Sequence, residues 1–211
     1  MVESKIGPIV GVILAGGRAQ RMGGGDKGLH RIGGTTILAR VIERVLPQVG
    51  ALVLNANGDP ARFAPFGLPV APDTVPDFAG PLAGILAGME WAAAHHPQAR
   101  HIVSVPADGP FVPRNLVQHL ATALENEDAE IAMAASGRQR YPVIGLWPLA
   151  LRDNLRRALV EENMHKIDAW TARFRLAVAD FPATPIDPFF NANTPEQLAE
   201  AEQLAALHPA I

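Results

Sequence analysis

The stretch IVGVILAGGRAQRMGGGDKGL, residues 9–29, decides the fold class of this chain. Its first part, Ile9–Ala15, is a continuous apolar run rich in β-branched residues, which predicts a strand buried on both faces, as in parallel sheets. Its second part is rich in glycine and carries the cations Arg18, Arg21 and Lys27. Glycines let backbone N–H groups approach an anion closely, and the cations can neutralise it. The stretch therefore predicts a polyphosphate-binding loop at the end of a strand.

Two common phosphate-binding loops do not fit this stretch. No Gly-Lys-Ser/Thr ends it, so it is not a Walker A loop, and its glycines are not spaced as G-x-G-x-x-G. A mobile glycine turn with solvated arginines would have the same composition. The buried strand before the loop, the three cations and the Asp26-Lys27 pair favour a nucleotide phosphate site.

Strand and helix patterns alternate from this loop to residue 124, which predicts a parallel α/β sheet with crossover helices. The strands expected in this half are Ala51–Leu54, Leu68–Ala71 and His101–Val105, and the helices are Thr35–Leu46, Pro81–His95 and Pro113–Leu124. The second half is less regular. Its expected elements are strands at Ile131–Ala135, Val143–Trp147 and Arg175–Ala179, and helices at Pro148–Glu162, at His165–Phe174 and after the N-cap Thr194.

The composition excludes several classes of protein. A formal net charge of -3 and a pI near 6.1 give no electrostatic footprint for nucleic acid. The absence of cysteine excludes disulfides and Cys-ligated zinc or iron–sulfur sites. The N-terminal stretch lacks the features of a signal peptide, and no apolar run is long enough to span a bilayer. We expect one cytoplasmic domain that binds neither nucleic acid nor membrane.

Residues 14–27 resemble the signature L-A-G-G-x-x-x-R-M-G-x-D-K of the sugar-nucleotidyltransferase-like family. Gly24 and Gly25 lengthen the signature before Asp26, and this longer form looks like the molybdenum cofactor guanylyltransferase (MobA-type) branch. Similar segments follow in order along the chain: NAN at 55–57, PDTVPDFAGPLAGILAGM at 72–89, VPADGPFVP at 105–113, YPVIGLW at 141–147 and FFNANTPEQL at 189–198. The resemblance thus covers nearly the whole chain.

The resemblance implies a fold like that of nucleotide-diphospho-sugar transferases. This is a Rossmann-like, three-layer α/β/α domain over residues 1–211 with a mostly parallel sheet. A nucleotide-binding half would span about residues 1–125, and an acceptor-binding half about 126–211.

The resemblance also implies an activity, the transfer of GMP from GTP to the terminal phosphate of molybdopterin with release of pyrophosphate. It implies Mg2+ (or Mn2+) as cofactor, and contact with molybdenum insertion proteins or target molybdoenzymes. Three alternatives stay open: a cytidylyltransferase of molybdopterin, a nucleotidyltransferase of a sugar or polyol phosphate, and a non-catalytic GTP-binding module that delivers the cofactor. A phosphate acceptor is already anionic, so no general base is needed, and the seven histidines form no paired acid motif.

The expected catalytic residues are Lys27, Arg21 and Asp108. Asp108 lies just past the strand HIVSV, where a carboxylate could hold a divalent cation; from the residues alone, a turn-capping aspartate in A-D-G-P explains it equally well. Lys27 would steady the charge on the reacting phosphates, and a solvated loop lysine is its alternative.

By resemblance, the nucleotide also contacts several residues that follow predicted strands. These residues are Leu14, Ala15, Gly16, Gly17, Asn55, Asp73 and Gly80, together with Lys27 and Asp108. Plain structural roles remain open for three of them. Asn55 could be a left-handed turn residue, Asp73 a helix or turn cap, and Gly80 a simple turn before a helix.

On the acceptor side, Asn191 and Asn193 flank Ala192, and two amides suit the edge of a pterin ring. Asn193 could instead help to cap the last helix. Arg138 and Arg140 could receive the acceptor's phosphate, or they could be ordinary surface arginines.

Overall fold

A computed structural model describes residues 6–16, 26–76 and 80–209 of the chain. Within these ranges the strands are β1 (Ile9–Leu14), β2 (Arg31–Ile32), β3 (Thr35–Thr36), β4 (Ala51–Asn55), β5 (Val70–Ala71), β6 (His101–Pro106), β7 (Ile131–Ser136), β8 (Gln139–Pro148) and β9 (Leu176–Phe181). The helices are α1 (Ile37–Val45), α2 (Pro81–His95), α3 (Leu116–Asn126), α4 (Arg152–Val160), α5 (Ile167–Thr171) and α6 (Pro195–Leu207).

Seven strands form one sheet in the order β5-β4-β1-β6-β8-β7-β9. All neighbouring pairs are parallel except those of β8, which runs antiparallel to both β6 and β7. The mostly parallel sheet is therefore confirmed. Strands β1, β4, β5 and β6 all end at one edge, which we call the carboxyl edge, and ligands of such sheets bind at this edge.

Helices cover both faces of the sheet. One apolar core lies under α1, α3 and α6, and the other under α2, α4 and α5. In β1, Val12 faces the second core and Ile13 faces the first, which is why this strand reads as a continuous apolar run. The arrangement has three layers, as predicted. In the part of the chain that the structure describes, no helix is long and apolar enough to cross a bilayer.

Several predicted boundaries differ from the structure by two to four residues. Helix α1 begins at Ile37, because the side chain of Thr36 accepts a hydrogen bond from Ala39 N at 3.2 Å and caps it. The predicted helices Pro113–Leu124, Pro148–Glu162 and His165–Phe174 shorten or shift to α3, α4 and α5. The largest error concerns β8, which was predicted at Val143–Trp147 after a polar loop. The structure makes that loop a tight hairpin at Gly137 (φ 62°), so β8 begins at Gln139.

The buried hydroxyl of Ser104 allows the contribution of a core hydrogen bond to stability to be measured. Its buried hydroxyl accepts from Trp147 Nε1 at 2.8 Å and donates to Val143 O at 2.5 Å. Ser104→Ala leaves a buried indole N–H without its partner, so we expect the free energy of unfolding to fall by about 1–3 kcal/mol. Urea denaturation measures this change.

Ser136→Ala is the matched control. Ser136 is also buried, but among the described residues its hydroxyl has no hydrogen-bond partner. Removing that hydroxyl should leave the stability nearly unchanged. Equal losses in the two variants would contradict the role given to the bond between Ser104 and Trp147.

Candidate active site

The first residues of the glycine-rich loop are fixed between the ends of two strands at the carboxyl edge. Ala15 N donates to Asn55 O at 2.8 Å, and Ala107 N donates to Leu14 O at 3.0 Å. Gly16 follows and is exposed to solvent. Leu14, Ala15 and Gly16 therefore lie where a ligand of this sheet would bind. Two further predicted residues, Gly17 and Arg21, lie outside the described residues, as does Arg18.

Lys27 reaches the end of β6 because its neighbour Gly28 has no side chain. Residues Lys27–Leu29 form a 3-10 turn, and a Cβ on Gly28 would lie only 2.9 Å from Ala107 O. The turn therefore packs directly on the backbone that precedes Asp108. Lys27 Nζ lies 3.9 Å from Asp108 Oδ2 and donates a hydrogen bond to Asn193 Oδ1. Lys27 is thus not the solvated loop lysine of the alternative interpretation.

The Asp108 carboxylate follows β6 and has a side-chain exposure of 18%. Burial raises the pKa of this carboxyl above its ordinary value, and the Lys27 ammonium partly offsets that rise. The ion pair with Lys27 and a hydrogen bond from the backbone of Asp108 itself compensate the ionised form only in part, and the carboxylate accepts no side-chain hydrogen bond from the described residues. A cation placed beside it would lower the electrostatic cost of that burial.

The donors near Asp108 fit a hard divalent cation. The Asn191 Oδ1 atom is buried and has no hydrogen-bond partner among the described residues, and a Cβ on Gly109 would lie 3.5 Å from it. Mg2+ and Mn2+ prefer oxygen, and Mg2+ is often held by one or two carboxylates together with phosphates and water. No group of three or more His, Asp or Glu side chains in the described ranges could hold a metal ion by itself. A metal here would rely on Asp108 plus oxygens of the substrate.

A second polar cluster joins the ends of β4 and β5. Asn55 is 2% exposed, and its Nδ2 donates to Ala71 O at 3.1 Å and to Asp73 Oδ1 at 2.9 Å. Asn57 completes the cluster, since its Nδ2 donates to Asp73 Oδ2 at 2.7 Å and its Oδ1 accepts from Asp73 N at 2.8 Å. The cluster holds the Asp73 carboxylate at the carboxyl edge. Asn55 has no positive φ, so the left-handed turn alternative is wrong.

Sequence reasoning missed the role of Asn57. It follows Asn55 at a spacing of two, which places both side chains on one side of an extended segment, and this signal was available in the motif N-A-N.

Helix α2 brings its N-terminus to the same edge. Gly80 is its N-cap residue and Pro81 its first residue. A Cβ on Gly84 would overlap Asn55 Oδ1 and lie 2.8 Å from Leu14 Cδ2, so glycine at this position permits the helix to approach the two strands. The predicted helix N-terminus beside Gly80 is therefore confirmed as geometry, and the positive end of the helix dipole there suits an anion.

The segment with Asn191 and Asn193 lies against Asp108. Ala192 N donates to Asp108 O at 3.2 Å, and Phe189 N donates to Asp187 Oδ1 at 3.0 Å. The hydroxyl of Tyr141 donates to the same Asp187, which fixes the segment to β8.

Asn193 helps to cap helix α6, and its side chain also accepts a hydrogen bond from Lys27. Its backbone N donates to Gln197 Oε1 at 2.9 Å, while Thr194 Oγ1 accepts from Gln197 N at 3.2 Å, in an arrangement close to a capping box. Its side chain remains available to accept the hydrogen bond from Lys27.

Arg138 and Arg140 lie on the β7–β8 hairpin, at the carboxyl edge. Both are exposed, and neither side chain makes a hydrogen bond or an ion pair with another described residue. The structure therefore does not bring them into the cluster around Asp108. They stay predictions for the phosphate of an acceptor.

Comparisons with known proteins identify relatives of this chain. The family model described as the MobA-like NTP transferase domain matches residues 11–175. The chain is 58% identical over 207 residues to a molybdenum cofactor guanylyltransferase of Bradyrhizobium sp. (strain ORS 278), and the match covers 98% of each protein.

Solved structures share the fold. The molybdopterin-guanine dinucleotide biosynthesis protein A of Archaeoglobus fulgidus superposes with a TM-score of 0.72 at 23% identity, covering 94% of this chain and 99% of that one. The manganese complex of the Rv0371C protein of Mycobacterium tuberculosis H37Rv superposes with a TM-score of 0.65 at 20% identity, covering 93% and 98%. The fold, the extent of the family match and the high identity to the Bradyrhizobium protein lead to one conclusion: the chain belongs to the MobA-like NTP transferase family, with molybdenum cofactor guanylyltransferases among its relatives.

Proposed function

We propose that this chain transfers GMP from GTP to the terminal phosphate of molybdopterin and releases pyrophosphate. The observation that carries the proposal is the 58% identity to a molybdenum cofactor guanylyltransferase over 98% of both proteins. The site adds a physical reason. A lysine ammonium and a partly buried carboxylate lie 3.9 Å apart at the ligand-binding edge of the sheet, and transfer between phosphates depends on positioning and on charge neutralisation.

The nucleotide would lie along the carboxyl edge. The backbone of Leu14, Ala15 and Gly16 would contact it between β4 and β6, with Gly17 and Arg21 continuing the loop. The Asp73 carboxylate, oriented by its amide partners, would bind the nucleoside, and the helix N-terminus at Gly80 would lie nearby. The hydrogen bonds within the Asn55 cluster suggest that Asn55 acts chiefly by orienting Asp73.

Asp108 would hold the divalent cation, Mg2+ or Mn2+. A cation bound there supplies Lewis-acid neutralisation of the phosphate charge. The partly buried carboxylate supports such a site, because it is an oxygen donor whose burial is only partly compensated.

The chemistry then needs few groups from the protein. An oxygen of the acceptor's terminal phosphate attacks the α-phosphorus of GTP, and a new P–O bond forms. The bond from the α-phosphorus to the oxygen that bridges to the β-phosphate breaks, and its electron pair leaves with pyrophosphate. The Lys27 ammonium stabilises the charge on the phosphates, with Arg21 expected to assist.

The acceptor would lie against the segment that carries Asn191 and Asn193. The amide of Asn191 suits the polar edge of a pterin because its oxygen is not used by the protein. Arg138 and Arg140, which lie on the β7–β8 hairpin, would bind the acceptor's phosphate. Contact with molybdenum insertion proteins or with target molybdoenzymes stays a prediction, which rests on the resemblance alone.

The first experiment tests the reaction. The purified protein is incubated with Mg2+, molybdopterin and each of the four nucleoside triphosphates in turn, and pyrophosphate is measured. We expect release with GTP alone. Release with CTP would move the protein to a cytidylyltransferase activity. GTP binding without any release would favour a delivery module, and release only with a sugar or polyol phosphate as acceptor would change the second substrate.

Asp108→Asn tests the metal role. The variant keeps the size of the side chain but loses the carboxylate, so we expect Mg2+-dependent turnover to fall by at least about 10²-fold. Pyrophosphate release under saturating GTP measures this loss. Turnover within about threefold of the wild type would remove Asp108 from the reaction.

The same variant should fold, and its stability gives a control with a defined sign. Because burial raises the pKa of Asp108 in the folded state, the folded state holds its proton more tightly than the unfolded state does. Ionising Asp108 therefore destabilises the fold as the pH rises above the ordinary carboxyl range. In metal-free buffer Asp108→Asn should gain stability relative to the wild type as the pH rises above about 4, the ordinary pKa of an aspartate. If the variant instead lost stability relative to the wild type as the pH rises, the raised pKa of Asp108 would be contradicted.

Asn191→Ala tests the acceptor side. We expect the KM for molybdopterin to rise about tenfold, which corresponds to the loss of one hydrogen bond, while the KM for GTP changes less than about twofold. Asn193→Ala is the matched control and should disturb GTP as well, because the side chain of Asn193 holds Lys27. Equal weakening of both substrates in Asn191→Ala would contradict the assignment.

A further inference from the structure

Arg62 is fully engaged although no predicted motif contains it. It lies on the 3-10 turn Pro60–Phe66, and its side chain is 30% exposed. Its Nε donates to Asp26 Oδ2 at 2.5 Å, its Nη1 to Asp59 O at 2.5 Å and its Nη2 to Asn57 O at 2.6 Å. One guanidinium therefore joins three points that lie on two separate segments of the chain.

The two segments have different tasks in the proposed site. Asp26 directly precedes Lys27, which would contact the phosphates, and its side chain is 16% exposed. Asn57 holds Asp73, which would contact the nucleoside. Arg62 thus links the phosphate side of the site to the nucleoside side.

The base of this link is fixed to the fold. Phe63, the next residue, is 1% exposed and belongs to the apolar core, and its ring lies 4.5 Å from the Arg62 guanidinium carbon. The side chain of Asp59 accepts from Ala61 N at 2.9 Å and caps the turn. Arg62 is therefore presented from a rigid segment, as a positioning group must be.

The two sides depend on this link unequally. The nucleoside side has its own supports, since Asn55 and Asn57 both bond to Asp73 and since β4 pairs with β5. On the phosphate side, the ion pair with Arg62 is the one ion pair or hydrogen bond that the Asp26 side chain makes with the described residues. Loss of Arg62 should therefore release the phosphate side first.

We propose that Arg62 is a positioning residue for nucleotide transfer, which acts by holding Asp26 so that Lys27 is directed at the phosphates of the bound nucleotide. The inference rests on the proposed function, because it takes GTP as the ligand of this edge. The planar fork of arginine is needed, since a lysine ammonium cannot point separate donors at a carboxylate and at two carbonyl oxygens in fixed directions.

Three substitutions test this role. Arg62→Met removes the donors and keeps the apolar stem, while Arg62→Lys keeps the charge without the fork. Arg173→Met is the matched control, because Arg173 also pairs with an acid, Glu162, but precedes β9 at the opposite edge of the sheet. Thermal unfolding of all three reports any general loss of structure.

The readouts separate positioning from stability. We expect Arg62→Met to lower kcat/KM for GTP about tenfold and to weaken GTP binding, while the binding of guanosine, which has no phosphates, changes less than about twofold. Arg62→Lys should recover little of the loss, and Arg173→Met should behave as the wild type. Equal weakening of GTP and guanosine, or full recovery in Arg62→Lys, would overturn the proposal.

A double-variant cycle tests whether Arg62 acts through Lys27. In a Lys27→Ala background, Arg62→Met should lower kcat/KM by less than about twofold, because the group it positions is gone. Additive losses would overturn the proposal. Failure of the proposed function can be told apart from failure of this proposal. A wild-type protein that binds GTP but releases no pyrophosphate would contradict guanylyl transfer. The comparison of GTP binding with guanosine binding would still test the role of Arg62.

Discussion

The close contact of Gly28 with the backbone of Ala107 is the constraint on which the site depends. It seats the turn after the glycine-rich loop against the end of β6, and it leaves Lys27 beside Asp108. From the other half of the chain, Ala192 N donates to Asp108 O. The short segment Ala107-Asp108 at the end of β6 thus contacts residues from early and from late in the chain. The two expected substrates would meet there.

The electrostatics of this junction favour a bound ligand over the empty site. The Asp108 carboxylate is largely buried, and the lysine that approaches it at 3.9 Å donates a hydrogen bond to Asn193 and not to the carboxylate. The Asn191 oxygen nearby is buried without a partner among the described residues. Groups that lack compensation destabilise the folded protein on its own and strengthen binding of the ligand that compensates them.

Much of this could be predicted from the sequence because the relevant signals are local. The apolar run of β1, the Pro81 start of α2 and the Thr194 cap of α6 each depend on a few neighbouring residues, and each was confirmed. The β7–β8 hairpin was harder to predict. Its polar residues 136–142 look like a loop. Pairing across the turn, from Ser136 with Gln139 to Ala134 with Tyr141, makes most of them strand.

The parts of the site that sequence reasoning missed rest on contacts between distant residues. Arg62 meets Asp26 across 36 positions, and Lys27 meets Asn193 across 166. No local pattern encodes such pairs, because an arginine after a turn usually lies in solvent. The structure therefore adds most to the sequence prediction where a side chain of one segment bonds to a residue of a distant segment.

The most direct test of the account is a crystal structure of the protein grown with GTP and Mn2+, with anomalous diffraction used to locate the metal. The account predicts an anomalous peak beside the Asp108 carboxylate, phosphates within reach of Lys27 and the nucleoside against Asp73. A nucleotide bound away from the carboxyl edge, or a metal that does not contact Asp108, would contradict it.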